Sequence, residues 1–173
     1  MKLLIYLFLA LSLTNCKTRK DLAQNQQNKV LSFILENCPE DGICEIVIEE
    51  NKELQVKTDE FGMIYPEITN GDHYLFNYTF SKDSEYADGN YKEIVLFQFP
   101  KNEISLLLQD KNLQKVNLLY GRLCYCKGES GYEKVSKGTL NIKRDNNKIT
   151  LKLEFYTNLP QVIKTIEEVI ILP

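Results

Sequence analysis

From about position 43 onward the chain alternates apolar and polar residues in short runs, separated by Gly, Pro, Asn and Asp. This is the pattern of an antiparallel β protein. Ile43 to Glu49 places Cys44, Ile46 and Ile48 on one face, and Asn51-Lys52 then predicts a hairpin into Glu53–Thr58 with Leu54 and Val56 inward. Phe61 to Pro66 reads as a short edge segment. His73 to Phe80 alternates strictly, with Tyr74, Phe76, Tyr78 and Phe80 on one face. Tyr91 to Phe99 carries Val95, Phe97 and Phe99 on one side and Ile94 and Leu96 on the other, which predicts a central or doubly covered strand. Pro100 stops it. Ile104–Leu108 and a long strand over Leu113–Cys126 follow, with Gly121 marking a bulge or bend. Gly138–Lys143 and Lys148–Tyr156 form the clearest hairpin, turning at Arg144-Asp145-Asn146-Asn147 with Leu140, Ile142, Ile149, Leu151, Leu153 and Phe155 inward.

Two stretches carry helical spacing instead. Leu22, Ala23, Val30, Leu31, Phe33, Ile34 and Leu35 predict a helix from about Asp21 to Glu36. Val162, Ile163, Ile166, Val169 and Ile170 predict a closing helix with Asn158 as cap and Pro160 in its first turn, a last strand being the alternative because Ile and Val are numerous. The expected fold is mainly β with a minor α share (α+β). It is an antiparallel meander, barrel or curved sheet, with an N-terminal and a C-terminal helix. No internal repeat or Gly/Ser-rich linker divides residues 30–173, which read as a single domain.

The N-terminus has a different grammar. Lys2 precedes an apolar run, Leu3 to Leu13, with the length and flank of a signal-peptide core and too short to span a bilayer. It ends in Leu13-Thr14-Asn15-Cys16, which resembles the lipobox of bacterial lipoproteins. That resemblance implies a signal peptide over residues 1–15 and cleavage before Cys16. It also implies a diacylglycerol thioether on the Cys16 sulfur and an acyl chain such as palmitate on its new amine. Two or three chains hold a protein stably on a membrane where one does not. Residues 16–29 then form the lipidated cysteine and a polar tether. The basic residues after Cys16 (Lys17, Arg19, Lys20) contrast with the acidic surface-export address of some lipoproteins, and imply a periplasm-facing outer-membrane location. The rest of the chain looks like small envelope lipoproteins with no assigned activity.

Charge narrows the class of partner. Without its first fifteen residues the chain has 158 residues, 20 basic and 24 acidic side chains. A mildly acidic domain with no basic block argues against nucleic acid and against electrostatic membrane binding beyond the lipid. With Cys16 acylated, Cys38, Cys44, Cys124 and Cys126 remain. An even number in an exported domain implies two disulfides among three possible pairings. Cys124 and Cys126 are one residue apart, and a bond between them would be strained. The favoured arrangement therefore crosses both to Cys38 and Cys44, with a Cys38–Cys44 bridge across Pro39-Glu40-Asp41-Gly42 still open. A four-thiolate zinc site has poor ligand spacing.

Catalytic motifs are sparse. His73 is the single histidine and reads as a surface or strand-edge residue. Gly128-Glu129-Ser130-Gly131-Tyr132 lacks the last glycine of a nucleophile elbow, and no dinucleotide or phosphate loop occurs. Asp83, Glu85 and Asp88 offer oxygens but without EF-hand spacing. The reading is accordingly of a non-enzyme with no cofactor and no metal. The aromatic alternation of Tyr74 to Phe80 predicts sheet core, with a ligand cavity or partner face as the alternative. Ser130-Gly131-Tyr132 followed by Lys137-Gly138 is similar to the loop and strand of membrane-bound bacterial lysozyme inhibitors, small β-barrel lipoproteins whose Ser and Lys enter the enzyme's cleft. The resemblance makes Ser130, Tyr132 and Lys137 candidate partner contacts. The expected function is a membrane-anchored envelope lipoprotein acting as a non-enzymatic binding or structural module. The alternatives are an inhibitor of an envelope-attacking hydrolase such as lysozyme, and a carrier of a hydrophobic ligand.

Overall fold

The computed structural model describes residues 29–39, 41–83 and 89–172. The expected signal peptide, Cys16, most of the expected tether, Glu85 and Asp88 lie outside these residues. Among the described residues ten strands form two antiparallel sheets. The first contains β1 (Val30–Ile34), β2 (Ile43–Thr58), β3 (Ile64–Lys82), β4 (Tyr91–Pro100), β6 (Leu119–Leu123) and β7 (Gly131–Lys134), in the order β1-β2-β3-β4-β6-β7. The second contains β5 (Ser105–Gln109), β8 (Gly138–Asp145), β9 (Lys148–Phe155) and β10 (Thr165–Ile171), in the order β10-β9-β8-β5. A one-residue-per-face alternation lets each sheet turn one side to the other, and both inner faces contribute to a single core.

Mainly β and antiparallel, the fold is an open pair of sheets rather than a closed barrel. The chain leaves the first sheet for β5, returns through a 3-10 helix (Asp110–Val116) to β6, and leaves again for β8, so the meander is interrupted twice. Tyr74, Phe76, Tyr78 and Phe80 are buried between the sheets, as alternation predicts. Phe76 stacks on Phe97 at 4.5 Å between ring centres, and Tyr120 of the first sheet meets Phe155 of the second at 5.9 Å. Full burial of each such ring contributes roughly 1.5–3 kcal/mol.

Among the described residues neither of the two expected end helices is present. Residues 30–34 are edge strand β1, with Leu31, Phe33 and Leu35 packed on the core while Val30 and Ile34 are exposed. Residues 165–171 are edge strand β10, paired with β9 and burying Ile166 and Ile170. The reason is geometric: residues four apart share a face at a period of two as well as at 3.6, so this spacing does not separate strand from helix. β-branched runs such as Val169-Ile170-Ile171 tip it toward strand. The expected long strand over Leu113–Cys126 is also divided. Its first part is the 3-10 helix, which buries Leu113 and Val116 and ends at Asn117 in the left-handed conformation (φ 53°).

β2 does not turn at Asn51-Lys52 but bends there. Asn51 is left-handed (φ 61°) and the β2–β3 register shifts at Lys52. The hairpin turns at Asp59–Gly62 instead, so Phe61–Pro66 is its tip and the start of β3. Gly71 makes the bend possible, because a Cβ there would sit 2.6 Å from Glu53 Cβ. Beyond the bend, the outer half of the hairpin folds across the outside of the first sheet. Leu54 packs on Leu75, Leu96 and Leu119, which explains why β4 is apolar on both faces. Gln98 accepts the Leu54 N–H, and Asn117 Nδ2 donates to the Leu54 carbonyl at 2.7 Å.

Candidate functional site

The four described cysteines pair by proximity. Cys38 bonds Cys44, and Cys124 bonds Cys126. The favoured crossed pairing is thereby replaced, because strand order keeps the two groups apart. Cys44 faces Phe80, Phe80 faces Glu93, and Glu93 faces Arg122. Three strand spacings, roughly 14 Å, separate β2 from β6, beyond the reach of about 7 Å between Cα atoms that a disulfide allows. Cys44 is fully buried and its sulfur accepts the Tyr78 hydroxyl at 3.0 Å. Cys124 and Cys126 flank Tyr125, which is 91% exposed, in the connection between β6 and β7.

The candidate partner contacts are not gathered into one site. Ser130 Oγ donates to the Arg122 carbonyl at 3.1 Å, just before β7. Lys137 lies past the other end of that strand, its carbonyl accepting the Tyr156 N–H. Tyr132 lies between them, but its ring covers Gly121 on the outer face and packs on the Leu54 cluster; burial pushes its hydroxyl pKa up. His73 is not an edge residue: it sits half-buried at the hairpin bend of β3, between Lys52 of β2 and Pro100 of β4, with Glu53 Oε2 2.9 Å from its Nδ1. Among the described residues no group of three or more His, Cys, Asp or Glu side chains is placed to hold a metal ion.

A polar cluster that sequence reading missed is built around Glu93. This side chain is fully buried on the inner face of β4. It accepts the Val162 N–H at 2.7 Å, the Ile163 N–H at 2.8 Å and the Tyr91 hydroxyl. The Arg122 guanidinium lies 5.3 Å from the Tyr91 ring centre and pairs with Glu129 at 2.6 Å. Tyr120 donates to the Pro160 carbonyl at 3.0 Å, and burial followed by the neighbouring Glu93 pushes its pKa upward. Glu133 holds the same segment from outside, accepting Asn158 N–H at 2.9 Å. Both Glu93 oxygens are engaged by backbone donors, so the chemistry of this cluster is to hold the β9–β10 connection on the sandwich. The available signal was parity: Glu93 occupies the same side of β4 as Val95, Phe97 and Phe99.

The exposed feature with the most definite construction is the tip of the β2–β3 hairpin. Asp59 accepts the Phe61 N–H at 2.9 Å and the Met63 N–H at 2.8 Å through its carboxylate, and its backbone N–H donates to the Met63 carbonyl at 3.0 Å. This fixed turn presents Phe61 at 82% exposure, with Met63 and Tyr65 beside it. Asp59 and Glu60 place acidic charge at the turn, while Glu67 is paired with Lys57 at 3.3 Å. The tip reaches the far edge of the sheet, where Met63 Cε lies 3.4 Å from the position of a Cβ on Gly131. No protein-family model, curated protein or solved structure matches this chain.

Proposed function

We propose that this protein is a lipid-anchored binding module of the bacterial envelope, acting without catalysis and presenting its hairpin tip to a protein partner. The observation that carries the compartment is the use of cysteine. Of five cysteines, the four in the domain bond among themselves. That pattern suits an oxidising compartment and leaves Cys16, at the end of the lipobox-like run, for acylation.

The tip supports the second half of the reading. An apolar cluster on a braced turn costs little ordering entropy on binding, which is the property of an anchor residue at an interface. Its acidic turn suits a partner whose apolar pocket is rimmed by basic groups, and does not suit an anionic lipid surface. The packed aromatic interior speaks against carriage of a hydrophobic ligand. The separation of Ser130 from Lys137 by the length of β7 gives no support to a hydrolase-inhibitor reading.

Two measurements test it. Mass spectrometry of protein extracted from native membranes is expected to show the Cys16 peptide as the N-terminus with lipid attached; an unmodified Cys16 sulfur overturns the anchor. A photo-crosslinking amino acid at Phe61 in intact cells is expected to give one discrete protein adduct that the same group at Lys152 does not give. Equal labelling from both positions, or none from Phe61, overturns the partner surface.

A further inference from the structure

The two disulfides of this domain differ in the burial of their sulfur-bearing residues and in what they join: one of the first pair, Cys44, is fully buried, whereas Cys124 and Cys126 are both only half-buried. Cys38–Cys44 ties the end of β1 to the start of β2, and Cys44 is fully buried against the Tyr78 hydroxyl. Cys124–Cys126 spans one residue, so it closes a minimal loop and restricts the unfolded chain far less than a long-range bridge does. It joins no two strands and lies in an open connection. Shallow recesses on either side are lined by Cys124, Tyr125, Cys126 and Lys127, and by Asn90, Lys92, Leu123, Cys124 and Tyr125. Lys127 thus shares one recess with both cysteines and Lys92, which pairs with Leu123, shares the other with Cys124, so the walls around the bond carry positive charge, while Glu129 is committed to Arg122. Positive charge stabilises a thiolate, and exposed disulfides are the labile, regulatory or catalytic ones.

We infer that Cys124–Cys126 is a thiol–disulfide exchange site for exposed thiolates, whereas Cys38–Cys44 is a structural bond. An incoming thiolate attacks one Sγ of the pair. An S–S bond forms between the incoming sulfur and that Sγ, the Cys124–Cys126 bond breaks, and its electron pair leaves on the other cysteine as a thiolate. A second thiolate then attacks the incoming sulfur and releases the first cysteine. Two thiols are thereby oxidised to one disulfide while Cys124 and Cys126 are reduced to a dithiol, the two thiol protons ending on the cysteines. The reverse sequence with a disulfide restores the bond. Tyr125, held out between the two cysteines, offers a thiol-bearing peptide a ring to lie against.

Glutathione is the probe. The purified full chain is equilibrated in buffers of increasing [GSH]²/[GSSG], quenched with acid, alkylated and mapped by peptide mass spectrometry. Cys124–Cys126 is expected to reach half reduction at a ratio at least a hundredfold lower than Cys38–Cys44, with the β-sheet circular dichroism intact. Cys126→Ser is expected to accumulate a glutathione adduct on Cys124, and the double variant Cys124→Ser/Cys126→Ser to keep the melting temperature of the parent chain. Reduction of both pairs at one ratio, or reduction of Cys124–Cys126 only when the chain unfolds, overturns the inference. So does failure of Cys124 in the single variant to exchange with glutathione. These outcomes do not depend on the Phe61 surface, so the two proposals fail separately.

Discussion

Glu93 and Ile163 are seventy residues apart in the chain, and the Glu93 carboxylate accepts the Ile163 N–H at 2.8 Å inside the sandwich. The same carboxylate holds Val162. A buried carboxyl group is accommodated here because backbone donors and the Tyr91 hydroxyl replace the water it lost. The contact also fixes where β10 begins, and so completes the second sheet.

Glu93→Ala removes the acceptor and leaves two backbone N–H groups unpaired. The expected loss is about 3 kcal/mol of unfolding free energy, read by urea denaturation. A loss below about 1 kcal/mol would show that the connection is held by Glu133 and Tyr120 alone.

Leu54 closes the outer cluster while its backbone is held by Gln98 and Asn117. Leu54→Ala is expected to cost about 2–5 kcal/mol. Gln98→Leu leaves the Leu54 N–H without its acceptor, and hydrogen exchange at that amide is expected to quicken. Unchanged protection there would mean that the hairpin is held down by side-chain packing only.

Burial pushes the Tyr78 hydroxyl up from 10.0 to about 12, with Glu168 and Glu93 adding to the effect. Below pH 10 both folded and unfolded chains carry this tyrosine neutral. Between 10 and 12 the unfolded chain ionises first and the folded state loses stability. Tyr78→Phe should therefore flatten the fall in melting temperature across that window. A fall as steep as in the parent chain would assign the alkaline transition to other groups.

Glu168, on β10, has its carboxyl pKa raised because the strand partly buries it. The folded state then holds the proton more tightly than the unfolded one, so this residue's contribution is greatest at acid pH and declines as pH rises through the folded pKa. Glu168→Gln is expected to raise the melting temperature at pH 7 and to change little at pH 3. The opposite ordering would show that the carboxylate is stabilised where it stands.

Strand grammar is local, which is why so much of it was legible. Residues two apart share a face whatever the rest of the chain does, so Tyr74, Phe76, Tyr78 and Phe80 were readable as core before any partner was known. The β8–β9 hairpin followed from its turn residues, and apolar residues on both sides of β4 implied that something covers it. The Leu31/Leu35 and Ile166/Ile170 pairs were not decidable in this way, because a spacing of four satisfies two periods at once.

The amino-acid order by itself determined a β protein, the inward faces of its clearest strands and the acidic character of its surface. Tertiary structure decided that the strands form two open sheets, that a hairpin bent at Asn51 covers one of them, that Glu93 is enclosed, and that the cysteines bond within neighbouring pairs. The division has one physical cause. Alternation depends on neighbours in the chain, whereas sheet order sets which distant residues come within bonding distance, and three intervening strand spacings are enough to keep Cys44 from Cys124.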